Sequence, residues 1–452
     1  MSKNKKSSGL AYSLITAPKI YTIKRGGPLD IIGSTKIKTK KNITSIIKIY
    51  DIYEHEVLSL DVCIKKILVN GIVIENINLE DLQGGVYSYR LYTSDILLDD
   101  PQYFIIYDPN SSSKVAIMHP LFTWQAYNVY GGESFYRGAQ FDNTKKIELT
   151  LERPLTTQSD YHRPESTIPT IRLLEKNGIK TDSICNLTLH ETKGLLDKYD
   201  LLILVGHDEY WTHTMYDQLE DFVRAGGNVV AFAANILCWA IEVENGNIRV
   251  DKRNQYIEGE SGSNSSGHFR NPWINRQQQS LFGLAYWYAG YPVSRIDPTV
   301  ASQHLTQDQI RNSGAIHVID MGHQIFSGVK IDNGKILTTE TNLLDVELDG
   351  VFISKDKVDF TRTVDVPKNT KVLAKSIVNV AHTRVNQNGK VTSDVSFETV
   401  GIITECSPYP KGGVTLQLGS VCFFRAAKNP SSNEAKLMIN MVKYATGAFN
   451  EP

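Results

Sequence analysis

Between residues 44 and 66 apolar and polar positions alternate over stretches such as Leu58, Leu60, Val62 and Ile64, and β-branched residues dominate. A period of two predicts half-buried strands. Asn70-Gly71 lies between Ile67-Leu68-Val69 and Ile72-Val73-Ile74. That pair predicts a hairpin, because a tight turn matched to strand twist needs residues that tolerate positive φ. Lysines crowd the same region (Lys3, Lys5, Lys6, Lys36, Lys38, Lys40, Lys41). They fit a frayed tail and charged strand edges that discourage aggregation, with a basic patch for an anionic partner as the alternative.

From about residue 113 the period changes. Residues 115–118 form a short apolar run, 168–177 have a helical pattern stopped by Gly178, and 201–205 are wholly apolar. An uninterrupted apolar run of that length predicts a central parallel strand buried on both faces. Thr212 or Thr214 can cap the next helix, with Met215, Leu219, Phe222 and Val223 on one face and Gly226-Gly227 at its end. Residues 228–234 supply another buried strand, so 201–234 reads as a right-handed strand–helix–strand unit. Residues 254–271 are rich in Ser, Gly and Asn and predict a long loop. Beyond Pro298 short strands are expected at 316–319, 372–376, 400–404, 415–418 and 421–425. A closing helix over 432–444 carries Leu437, Met438, Met441 and Val442 on its apolar face. The expected fold class is α/β, a mostly parallel sheet over 109–452 with β-rich C-terminal additions, preceded by a β-rich N-terminal module over 1–108.

The chain has 452 residues, more than one compact core holds. Its 48 Lys+Arg against 49 Asp+Glu leave a formal charge of −1, which argues against nucleic acid or an anionic membrane as the main partner. Five cysteines (Cys63, Cys185, Cys238, Cys406, Cys422) are an odd number with no C-x-x-C spacing, so buried thiols are expected rather than a disulfide framework. No apolar stretch approaches the ~18 residues of a membrane span, and residues 1–10 lack the apolar region of a secretory signal. A cytoplasmic protein is expected.

The usual markers of phosphate-loop, dinucleotide, zincin and serine-hydrolase chemistry are missing. The informative segment is Gly206-His207-Asp208-Glu209-Tyr210-Trp211, placed directly after the apolar strand and before the capped helix. Open α/β sheets bind ligands at that position, and polar side chains there are costly without partners. The plainer alternative is a helix N-terminus neutralised by Asp208 and Glu209. His207-x-Glu209 resembles half of a zinc deaminase signature, but no P-C-x-x-C follows. A second segment, Thr123-Trp124-Gln125-Ala126-Tyr127-Asn128 continuing through Tyr130-Gly131-Gly132-Glu133-Ser134-Phe135-Tyr136, also follows a strand and should emerge on the same rim.

The order T-W-Q-A-Y-N, G-G-x-S-x-Y, G-H-D-E-Y-W resembles the C-terminal region of the N,N-dimethylformamidase large (β) subunit family. Further matches are the helix 169–178 with L-L-E-x-x-G, Leu281-Phe282-Gly283 ahead of Tyr291-Pro292, and Val346-Glu347-Leu348-Asp349. The resemblance covers about residues 85–447. It implies a glutamine amidotransferase-like sheet and a mononuclear non-haem iron held by Tyr127, Tyr136 and Glu209. It further implies His207 as a catalytic histidine, Glu347 as a second catalytic acid, and a small amide as substrate. A homo-oligomer is compatible with it.

Two phenolates and a carboxylate are hard oxygen donors that suit a trivalent cation better than zinc. Three protein ligands leave room for water and a carbonyl oxygen. Glutaminases on such sheets use a cysteine at the strand-to-helix corner, whereas this chain carries His207-Asp208-Glu209 there; Cys238, the nearest thiol, is expected to pack in the core. Two other functions fit the residues: a non-catalytic binding module, and a hydrolase holding a different metal through His207, Glu209 and His213.

Overall fold

The structure is a computed structural model. It describes residues 14–449 apart from 36–41, 68–69, 94–95, 139–145, 158, 254–262, 264, 341, 381, 386–390 and 395. The seven lysines of the N-terminal region and most of the expected 254–271 loop lie outside the described residues, as do two residues of the 67–71 turn. The chain divides into two compact units, one of residues 1–109 with 151–155, the other of 110–150 with 156–452.

In the first unit the strands run in the spatial order Leu14–Pro18, Leu29–Thr35, Gly71–Ile77, Glu56–Ile67, Ile43–Tyr50, Gly85–Thr93, Gln102–Tyr107 and Thr22–Lys24. Only the last pairing is parallel among the described residues. The expected hairpin is present, with Ile67 opposite Gly71. Ile31, Ile47, Ile49, Ile64, Ile72 and Phe104 fill the interior, while Leu58, Leu60 and Val62 of the alternating strand are only partly covered.

The second unit is built on one large sheet. Its strands in chain order are β1 (Val115–His119), β2 (Asp182–Cys185), β3 (Leu201–His207), β4 (Asn228–Ala234), β5 (Ala285–Pro292), β6 (His317–Val318), β7 (Leu348–Ser354), β8 (Lys371–Asn379), β9 (Phe397–Cys406) and β10 (Thr415–Leu418). In space they run β2-β1-β3-β4-β10-β9-β7-β5-β8-β6. The stretch from β2 to β10 is parallel. Every pairing beyond β10 is antiparallel.

This corrects the expected fold class. Strands hold 38% of the structure against 23% in helices, in several mixed and antiparallel sheets, and the mostly parallel, glutamine amidotransferase-like α/β sheet is not what forms. The reason is physical. Val400, Ile402 and Ile403 in β9 are fully buried, and a strand covered on both faces reads as the same apolar run whichever way its neighbour points. The parallel half does follow the expected pattern. Leu201, Leu202, Ile203 and Leu204 are completely buried in β3, each contributing roughly 1.5–3 kcal/mol of apolar burial.

Helices of this unit include α1 (Leu121–Tyr127), α2 (Ile168–Lys176), α3 (His213–Arg224) and α4 (Asn433–Ala445). Thr212 caps α3 by accepting from Met215 N, and Ser432 caps α4 by accepting from Ala435 N. The expected strand at 421–425 is instead a turn running into the 3-10 helix Phe423–Lys428. Cys185, Cys238, Cys406 and Cys422 are buried free thiols, and Cys63 is exposed rather than buried. Among the described residues no helix is long and apolar enough to cross a membrane.

Candidate metal and catalytic site

The site lies past the carboxyl ends of β1, β3 and β4. Helix α1 starts after Pro120 and delivers Tyr127 as its last residue. The chain then turns through Gly131 and Gly132, whose φ values of +73° and +85° suit glycine. Phe135 N donates to Ala126 O at 2.9 Å, which folds the loop back along α1 and brings Tyr136 beside Tyr127. Their rings stack with centroids 4.4 Å apart. Glu209 follows β3 after Gly206, which has φ +81°. Thr123 Oγ1 of α1 accepts from Glu209 N at 2.9 Å and Tyr210 N at 3.2 Å, locking the two segments together.

The oxygens of Tyr127, Tyr136 and Glu209 therefore meet. Tyr127 Oη is 2.8 Å from Glu209 Oε2 and 2.9 Å from Tyr136 Oη. Tyr136 Oη is 3.0 and 3.1 Å from the two Glu209 oxygens. Burial first, and then the Glu209 charge, push both phenols well above their ordinary value. Burial likewise raises Glu209, with His207 and Lys252 pulling it back. Three acidic groups packed this closely resist ionising together, and a multivalent cation is what would relieve them.

His207, fully buried, ends β3. Its Nε2 is 3.2 Å from Glu347 Oε2 and 3.5 Å from Glu209 Oε2. Burial works against a charged imidazole here, but the Glu347 carboxylate outweighs it and the ring's pKa rises. Glu347 falls correspondingly below its ordinary value: burial opposes ionisation and the His207 contact overrides it. Each shift favours the charged form of its group, and the cause of both is the short contact between the two side chains. Glu347 precedes β7, next to Val346 at φ +69°, a strained conformation for a β-branched residue.

Several contributors carry no local sequence signal. His162 Nε2 lies 2.9 Å from His207 Nδ1, and its ring stacks on Tyr127 at 3.9 Å. Tyr210 Oη lies 2.6 Å from Tyr136 Oη and accepts from Lys252 Nζ at 2.6 Å. That ammonium is buried 3.6 Å over the Tyr136 ring, and burial brings its pKa down to about 7. Asn235 Nδ2 donates to Glu347 Oε2 at 3.0 Å. Tyr210 is the exception, since it belongs to the segment Gly206–Trp211. His162, Lys252 and Asn235 come from distant segments, and only the folded chain brings them in.

Asp208 and Glu209 do not neutralise a helix start. Helix α3 begins at His213, and Tyr210–Trp211 forms a short strand between. Asp208 is instead buried, accepts from Asn186 Nδ2 at 3.2 Å, and burial raises its pKa to about 7. His213 packs edge-on against Phe269. Among the described residues no group of three or more His, Cys, Asp and Glu side chains is arranged to hold a metal, so His207, Glu209 and His213 do not form the alternative centre. Burial pushes the Cys238 thiol far up, which removes it as a nucleophile.

The oxygen set fits a hard cation. Tyr127, Tyr136 and Glu209 would hold it, with Tyr210 and Lys252 behind them.

Residues 77–408 match the family described as N,N-dimethylformamidase beta subunit-like, C-terminal. The N,N-dimethylformamidase beta subunit of Paracoccus aminophilus is 26% identical over 167 residues, 35% of this chain and 22% of the relative. The corresponding subunit of Alcaligenes sp is 25% identical over the same shares. The match thus spans about a fifth of the length of these curated relatives. A trypsin-activated alpha-2-macroglobulin structure from Escherichia coli resembles the chain only slightly, with a TM-score of 0.17 and 10% identity over 21% of this chain and 6% of that one. The family match covers most of the chain and contains Tyr127, Tyr136, His207, Glu209 and Glu347, and the chain belongs to the N,N-dimethylformamidase beta subunit-like C-terminal family.

Proposed function

We propose that this chain hydrolyses the C–N bond of a small amide, using a non-haem iron held by Tyr127, Tyr136 and Glu209. The observation that carries this reading is the convergence of two partly buried phenols on both oxygens of one buried carboxylate, within 2.8–3.1 Å. A ferric ion held there supplies Lewis acidity toward an amide carbonyl and a water molecule. Hydrolysis places a hydroxyl on the acyl carbon and a proton on the departing nitrogen. Glu347 accepts the proton released by water, and His207 delivers one to the amine, after which their contact resets the pair. Asn235 holds Glu347, and His162 stacked on Tyr127 holds His207.

The test is metal analysis and a visible spectrum of the chain purified from iron-supplemented cells, with a screen of simple formamides. Roughly one iron per chain and a phenolate-to-iron band, both lost in Glu209→Gln, are expected. Colourless, metal-free protein that turns over no amide would refute the proposal.

A further inference from the structure

Below the proton-handling pair lies a second, fully buried carboxylate. Asp349 is two residues beyond Glu347 and shows no exposure. One of its oxygens accepts from Asn235 N at 2.7 Å. The other accepts from Gln278 Nε2 at 2.5 Å and Gln417 Nε2 at 2.6 Å. Gln417 comes from β10 and also donates to Ala233 O of β4 at 3.0 Å. The Asp349 carboxylate therefore ties together β4, β7 and β10 at their site ends.

What it holds is an unusual piece of backbone. Asn235 has φ +49°, and Leu237 close behind has φ +53°. Such conformations persist only where the surroundings over-determine them. The Asn235 side chain is buried; its Nδ2 donates to Glu347 Oε2 at 3.0 Å and lies 3.4 Å from His207 Nε2, while its Oδ1 has no hydrogen-bond partner. The peptide N–H gripped by Asp349 is thus the main anchor keeping that amide against Glu347.

We propose that Asp349 is a positioning residue of the site, which fixes Asn235 so that its amide aligns Glu347 with His207. This rests on the assignment of Glu347 and His207 to proton transfer. Asp349 hydrogen-bonds to neither; it also acts on both through its charge, and Asp349→Asn, which removes the charge and keeps the oxygen for Asn235 N, separates that field from the anchoring.

Four variants test it: Asp349→Asn, Asp349→Ala, Asn235→Gly, and the double Asn235→Gly/Asp349→Ala. Asparagine keeps an oxygen for Asn235 N, and the Gln278 amide can turn to accept from the new Nδ2, because its Oε1 is buried without a partner, while Gln417 keeps its bond to Ala233 O. Asp349→Asn should stay within about threefold of wild-type kcat. Asp349→Ala should lose roughly 10- to 100-fold in kcat with KM nearly unchanged, the scale expected for a reacting group displaced by about an ångström. Asn235→Gly should show the same loss, and the double variant no more than either single one. The phenolate-to-iron band should not move in any of them.

Full activity in Asp349→Ala, multiplied losses in the double variant, or a shifted band would overturn the proposal. If Asp349→Ala does not fold, a folded Asp349→Asn that loses more than about tenfold does the same. Hydrogen exchange at the Asn235 amide is the readout that does not depend on turnover. It should stay protected in Asp349→Asn and become fast in Asp349→Ala even if no amide is hydrolysed, and unchanged protection in Asp349→Ala would refute the anchoring.

Discussion

Thr123 is the residue on which the register of the oxygen cluster turns, and replacing it with valine isolates its hydroxyl. The side chain is completely buried, so the shape is almost conserved while the acceptor for two backbone N–H groups disappears. Glu209 and Tyr210 are themselves buried, at 3% and 0% exposure. Each stranded buried donor costs about 1–3 kcal/mol. The Tyr210 contact is the longer of the two, so about 2–4 kcal/mol is expected in total, well beyond the usual range of a near-isosteric change. Urea denaturation followed by tryptophan fluorescence measures it, and Trp124 and Trp211, both buried, flank the contact as local reporters. Thr123→Ser keeps the hydroxyl and should recover most of the loss. If the proposed iron site forms, Thr123→Val should also weaken its retention of iron, because Glu209 is released from α1. If Thr123→Val lies within about 0.5 kcal/mol of wild type, the hydroxyl is not what locks the two segments, and the account of how Glu209 reaches Tyr127 fails.

Glu405 should govern acid stability. Burial would raise its pKa, but hydrogen bonds from His323, Lys371 and Tyr444 hold it down at about 2 against an ordinary 4.5. Its contribution is therefore fully present above about pH 4.5 and lost as the pH falls towards 2. Melting temperature against pH should fall steeply in that window for wild type and more gently for Glu405→Gln, and parallel curves would contradict the assignment. Gly206→Ala should destabilise by at least ~1 kcal/mol, because φ is +81° there and the added methyl would meet Ser166 Cβ at 3.3 Å. A thermal melt checks it, and a neutral result would mean the corner after β3 is looser than the geometry indicates.

The parallel half of the large sheet was legible because each of its signals is local. The run 201–205, the Thr212 cap and the apolar face of α3 specify strand, cap and helix without reference to anything distant. The antiparallel half was not, because pairing direction leaves no mark on a strand buried on both faces, and Val372 or Ile403 would read alike in either arrangement. The same division runs through the site. Glu209 lies in a segment whose polarity is out of place after a buried strand, whereas Tyr127 and Tyr136 stand out only through the order of the motifs that carry the family resemblance. Lys252 and Asn235 look ordinary in sequence and gain their meaning from contacts with residues 42 and 112 positions away.

The position of β10 has a consequence for biosynthesis. It is the last strand of the sheet to leave the ribosome, yet it sits in the middle, between β4 and β9. Until residue 418 emerges, the nascent chain carries the flank of Val229, Val230, Ala231 and Phe232 without its neighbour, an open apolar edge of the kind that templates aggregation. Premature stops between the end of β4 and the end of β10 should therefore yield insoluble product rather than a smaller working fragment, and slow elongation through the last third of the message should increase the demand for chaperones.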